Sequence, residues 1–238
     1  PLKSMSKSTN TIKNKKSPIK NDKIIYEKPK PNISTPINEM KTLTPTFQEL
    51  SKILNSKNNC LILDLEFFVS NNPNNGRRPR QIAGKVFNTP IHFNYITFSG
   101  DMTEHDQMQL LKDTDLRYSE ATKLKIKSVL SRIGKIVKDQ NIKYIISYDN
   151  HLDFKTIKDE SKFDIFNDTT AIDLSKILRE NLFDHSSQAP SLENFCKLLN
   201  LQNADKYHDA YSDVLMIDRI CQRYAYDLNE SDMISPLF

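Results

Sequence analysis

Two carboxylates stand two residues apart inside an apolar run, Leu61-Ile62-Leu63-Asp64-Leu65-Glu66-Phe67-Phe68. Alternate side chains of a strand share a face, so as a strand this run projects Asp64 and Glu66 together. At about 6 Å two such charges repel by roughly 3 kcal/mol at an effective dielectric near 20. Partial burial adds a desolvation cost to each. A divalent cation between them relieves both costs. Oxygen-only ligands with room for water suit Mg²⁺ or Mn²⁺ better than Zn²⁺. The competing reading is a strand end that reaches solvent, with both acids paired to Lys or Arg. The D-x-E pattern alone does not separate the two.

Three other residues extend the chemistry. Lys206-Tyr207-His208-Asp209-Ala210-Tyr211-Ser212-Asp213 precedes the apolar Val214-Leu215-Met216-Ile217. Five residues turn a helix by about 140°, so His208 and Asp213 serve one site only if His208 lies on the loop before the helix. An imidazole there, with a pKa of about 6.5, suits proton transfer from water. Upstream, Tyr148-Asp149-Asn150-His151-Leu152-Asp153 follows a short apolar run. A strand end, a turn and an acid at a helix start bring Asp153 over the same sheet end; Asp149 is the alternative ligand. His92, His105, His151 and His185 have no metal-ligand spacing. Four glycines, at 76, 84, 100 and 134, leave no phosphate-cradling loop, and no G-x-S-x-G is present.

The elements that must carry these residues follow from periodicity. Residues 60–69 read as a buried strand, and 81–88 and 91–99 as two more that complete an antiparallel meander. Between them, 70–80 is a polar loop with Arg77, Arg78 and Arg80, read either as phosphate contacts or as solvated side chains. Thr46 and Glu49 form a capping box for a helix starting after Pro45. Ile126, Val129, Leu130, Ile133, Ile136 and Val137 step at three and four, predicting a helix over 117–139. A strand at 143–147, a helix from about 152, a strand at 170–173 and helices at 174–182, 191–200 and 210–226 follow. The order β-β-β-α-β-α-β-α-α is an α/β domain, a mixed sheet flanked by helices.

Composition bounds the function. The chain has 238 residues and a net charge of +4. Residues 1–31 hold nine Lys against Asp22 and Glu27, a net +7 that leaves −3 for the remainder. The mildly acidic remainder argues against a protein that coats DNA non-specifically. Residues 1–43, rich in Lys, Asn, Ser, Thr and Pro, are expected to be a disordered basic tail, with 1–4 left over from expression and Met5 as the natural start. The tail reads as a solvated leader or as an arm for nucleic acid or a protein partner; the folded domain is expected over 44–230. No run reaches the roughly 18 apolar residues of a membrane span. Cys60, Cys196 and Cys221 lack C-x-x-C spacing and read as buried filler in a reducing compartment, which places the protein in the cytoplasm by default.

The motifs together resemble the DEDDh (DnaQ-like) 3′→5′ exonucleases, which have a ribonuclease H-like fold. Asp64-Leu65-Glu66 is similar to the family's first motif, Asp149 to Ile157 to its second, and His208-x-Ala210-x-x-Asp213 to its third. Arg80-Gln81-Ile82-Ala83-Gly84, Ile172-Asp173-Leu174 and Ser191 to Phe195 are lesser likenesses. The likeness covers about 58–226. It departs from the family where Phe67-Phe68-Val69 replaces Thr-Thr-Gly, and where Asp149 stands in place of Asn.

The resemblance implies metal-dependent hydrolysis of terminal phosphodiesters at single-stranded 3′ ends of DNA or RNA, releasing nucleoside 5′-monophosphates. It implies two Mg²⁺ or Mn²⁺ ions, one on Asp64, Glu66 and Asp213 and the other chiefly on Asp64 with Asp153, and His208 as the base. Leu65, Phe67, Phe68 and Asp149 are expected near the terminal nucleotide, where aromatic stacking tolerates any base. A homodimer is a further expectation from the family. The alternative is a catalytically silent or accessory subunit that uses the fold to bind a polymerase or ribonucleoprotein partner.

Overall fold

The computed structural model describes residues 41–56, 59–68, 78–98, 124–149, 168–182, 190–201 and 209–226, with isolated positions within 104–112, 153–157 and 165–166. Among these, seven strands join one sheet: β1 (Lys41–Leu43), β2 (Asn59–Phe68), β3 (Arg78–Val86), β4 (His92–Phe98), β5 (Leu124–Lys125), β6 (Ile142–Ser147) and β7 (Thr170–Asp173). Their spatial order is β1-β7-β6-β2-β3-β4-β5. The expected meander is β2-β3-β4, antiparallel throughout. On its other side β6, β7 and β1 run parallel to β2. Helices α1 (Phe47–Asn55), α2 (Ile126–Asp139), α3 (Leu174–Leu182), α4 (Leu192–Leu198) and α5 (Ala210–Tyr226) complete the mixed α/β architecture.

Alternation along β2 sorts its side chains into two cores. Leu61, Leu63 and Leu65 pack with Ile126, Val129, Leu130 and Ile133 of α2. Cys60 and Ile62 point the other way, into a core lined by α1, α3, α4 and α5. Asp64 and Glu66 continue that second set, so the strand's period of two aims both acids to the α5 side. Because β2, β6 and β7 are parallel, their carboxyl ends share one edge of the sheet, where open α/β sheets bind ligands.

Local chemistry fixes the helices on this frame. Thr46 Oγ1 accepts from the Glu49 amide at 3.2 Å, and Glu49 Oε2 accepts from the Thr46 amide at 2.9 Å, the capping box read from the sequence. The Phe47 ring stacks on Tyr224 at 4.7 Å, joining α1 to α5. Ser191 caps α4 through the Asn194 amide.

Three boundaries differ from expectation. Residues 41–43, placed in the disordered tail, form β1 and pair with β7; residues 1–40 lie outside the described residues. This exposed three-residue strand has no apolar pattern of its own and is held by its partner's backbone. The helix expected over 117–139 starts at Ile126, and Leu124–Lys125 pair with β4 instead. β3 starts at Arg78, inside the expected loop, so Arg80 is a strand residue. Among the described residues no helix is long and apolar enough to cross a membrane.

Candidate active site

At the carboxyl edge of β2, oxygens of Asp64, Glu66 and Asp213 lie within 4.8 Å of one another. β2 supplies the first two, and the first turn of α5 supplies the third. Asp153 lies in a helical segment beyond β6, buried to 6% exposure, and accepts from the backbone N–H of Leu65. Asp64 is 9% exposed. The sequence thus converges three separated stretches on one acidic pocket.

Burial and mutual repulsion dominate its electrostatics. Burial, then the charges of Asp153, Asp213, Glu66 and Asp209, hold Asp64 well above the usual carboxylate range. Asp153 is raised by burial and by Glu66, Asp149 and Asp173, against the lowering pull of the Leu65 amide. Asp213 is pushed up to about 8 by burial, by the charges of Glu66 and Asp209, and by a hydrogen bond with Glu66. Such clustering of acids fits divalent cations bound through oxygen.

Among the described residues, the alternative of acids paired to basic side chains holds for one of the two strand residues. Arg80 Nη2 donates to Glu66 Oε2 at 3.3 Å, and Arg80 is 1% exposed. Its guanidinium is therefore a buried counter-charge, which corrects the reading of Arg80 as a loop residue facing phosphate or solvent. Arg77 and the side chain of Arg78 lie outside the described residues.

Other expected residues divide. Leu65 is 5% exposed in the α2-side core, on the opposite face from the acids. Alternation along the strand foretold this. Phe67 is half-buried and packs against the same core. The side chain of Phe68, and all of His208, lie outside the described residues. Asp149 is exposed, with φ of 54°, and its N–H donates to Asp173 Oδ1 at 3.1 Å. Asp173 Oδ1 also accepts from the Ser175 amide and hydroxyl, so one carboxylate ties the turn after β6 to the start of α3.

Sequence reading placed Arg80 on a loop and gave Gln81 and Asp209 no part in the site. Asp209 carried a legible signal: an Asp just before a helix is a preferred N-cap. Its Oδ2 accepts from the Ser212 amide and hydroxyl, both at 3.0 Å. The partners of Gln81 and Arg80 depend on strand register and could not be read.

Among solved structures, E. coli exonuclease I in complex with a dT13 oligonucleotide aligns with 74% of this chain at a TM-score of 0.53 and 16% identity. Cell-death related nuclease 4 aligns with 70% at 0.54 and 16% identity. A 3′-exonuclease described in 3′-end-specific recognition of histone mRNA stem-loop aligns with 72% at 0.56 and 13% identity. The fold is ribonuclease H-like. At such identities the likeness establishes fold alone. The aligned region spans 43% of exonuclease I, 63% of the cell-death nuclease and 66% of the 3′-exonuclease. No family model and no curated protein matches the chain.

Proposed function

We propose that this protein is a metal-dependent 3′→5′ exonuclease acting on single-stranded ends of DNA or RNA. The observation that carries the reading is the convergence of Asp64, Glu66 and Asp213 oxygens within 4.8 Å, with Asp153 close enough to feel Glu66. The exonuclease fold of the structural neighbours supports it, as does the order of the three sequence motifs.

Asp64, Glu66 and Asp213 would hold one Mg²⁺ or Mn²⁺, and Asp64 with Asp153 a second. When bound, the ions supply charge neutralisation at the scissile phosphate and polarise the attacking water. The chain's own part is positional. β2 holds two ligands at fixed spacing, α5 delivers the third, and the helical segment beyond β6 delivers the fourth. Arg80 engages Glu66 Oε2 and so fixes the orientation of that carboxylate. His208, on the segment just before α5, would accept the proton of the attacking water.

A 5′-labelled single-stranded oligonucleotide incubated with Mg²⁺ or Mn²⁺ tests the reading. Stepwise shortening is expected from the wild type, abolished by EDTA and by Asp64→Ala, with circular DNA left intact. Wild type that is inert with both ions, or an Asp64→Ala variant as active as wild type, overturns it.

A further inference from the structure

Gln81 faces Glu66 across the β2–β3 ladder and is fully buried, yet the chemistry above assigns it nothing. A buried amide needs partners for both its ends. Its Nε2 donates to Asp209 Oδ1 at 2.6 Å and to Asn94 Oδ1 at 3.0 Å. Its Oε1 accepts from the Ala210 N–H at 3.1 Å. Asp209 in turn accepts from Ser212 through Oδ2, and its backbone carbonyl accepts from the Asp213 N–H at 3.0 Å. Through these bonds one strand side chain holds Asp209 and Ala210, where the first turn of α5 that carries Asp213 begins.

A second tie reaches the same helix. Lys85 of β3 donates to Asp218 of α5. Four strand residues from Gln81 to Lys85 span about 13 Å. Nine residues from Asp209 to Asp218 span about the same on a helix. The two ties therefore match in length and lay α5 along β3 in one axial register. Between them Ala83 and Ala210, both fully buried, keep strand and helix close. Val214 and Ile217 seat the body of α5 in the core, while the Gln81 bonds act on its first turn.

We propose that Gln81 is a positioning residue, one that fixes the first turn of α5 so that Asp213 meets Asp64 and Glu66 at the separation a single cation requires. The inference rests on the metal-dependent reading above. It implies that the polarity of the Gln81–Asp209 bond can be reversed without loss, provided the bond survives.

The test is that reversal. Gln81→Glu removes the donor and sets two carboxylates against each other, and Asp209→Asn then restores a donor on the opposite side. Loss of an outer partner typically costs about 10–100-fold in metal affinity or activity, so Gln81→Glu should weaken Mn²⁺ binding by calorimetry about tenfold or more. It should lower kcat to a similar degree, with KM for the oligonucleotide within about twofold. The double variant should regain most of both. Unchanged Mn²⁺ affinity in folded Gln81→Glu, or a double variant no better than the single, overturns the inference. If Gln81→Glu fails to fold by circular dichroism, the isosteric Gln81→Met must show the loss of Mn²⁺ affinity, and its absence counts against the inference equally. A wild type that binds Mn²⁺ but degrades no oligonucleotide refutes the nuclease reading while leaving the calorimetric result to judge Gln81. A wild type that binds no Mn²⁺ overturns both.

Discussion

Asp149 and Asp153 are both acids, four residues apart, and their surroundings give them different work. Asp153 is 6% exposed, held by the Leu65 amide and raised by burial and then by Glu66, whereas Asp149 is exposed and serves a turn through its backbone N–H to Asp173. Asp153→Asn is expected to slow cleavage roughly a hundredfold, as loss of an ion ligand worth about 3 kcal/mol would. Asp149→Asn should stay within about threefold of wild type, because Asn also tolerates the left-handed φ of 54°. Single-turnover kinetics on one oligonucleotide compare the two. Arg80 invites a different measurement. Arg80→Met removes the buried cation beside Glu66 and should destabilise the metal-free protein by about 3 kcal/mol. Saturating Mg²⁺, which supplies positive charge at the same carboxylate, should recover much of that loss in urea unfolding. Equal losses with and without Mg²⁺ would mean that Arg80 acts on packing alone.

At the scale of elements, β3 is the strand that organises the site: its α5-facing residues Gln81, Ala83 and Lys85 seat the helix, and its other face must admit Phe93. A Cβ on Gly84 would lie 2.8 Å from Phe93 Cε1 and 2.9 Å from the Ile62 carbonyl oxygen. The carbonyl belongs to β2 itself, so relief requires the central strand to shift. Gly84→Ala is expected to destabilise by about 1–3 kcal/mol, measured by urea unfolding, and to weaken Mn²⁺ binding as β2 moves. Normal stability would show that the ring and strand give way freely. The long elements were legible because burial imposes periodicity on them: α2 steps at three and four, and β2 alternates. β1 and β5, three and two residues long, have no room for a period and exist through the backbone of a neighbouring strand.

For the whole molecule, the acid pocket links folding to pH and metal. Asp64, Asp153 and Asp213 keep their protons above the ordinary carboxylate range, Asp213 up to about 8. In the unfolded chain such groups titrate at about 4. A raised folded pKa stabilises below the unfolded value and loses that contribution as pH rises through the folded one. In EDTA the thermal midpoint should therefore fall as pH rises from about 4 to about 8. Saturating Mg²⁺ should flatten that decline, since the ion binds the ionised cluster, and Mg²⁺ affinity should itself rise with pH as protons are released. At a hundredfold excess over Kd the bound ion adds about 2.7 kcal/mol. Calorimetric scans across that pH range, with and without Mg²⁺, measure all three effects. Metal-free protein equally stable at both ends of the range would mean that the acids are not protonated in the folded state.

Sequence alone determined the chemistry on offer and the elements that carry it. Asp64 and Glu66 share a face because a strand repeats every two residues, and Asp213 opens a helix whose apolar stripe is written in its spacing. The mixed α/β class followed from the same periodicities. What only the tertiary structure decided is who neighbours whom across the sheet. Arg80 came from an expected loop to lie beside Glu66, and Gln81 reached across to Asp209, 128 positions away in the chain. Local patterns report which face of its own element a side chain occupies. The partner waiting on that face is set by strand register and helix placement, which arise from the packing of the whole chain and leave no mark at any one residue.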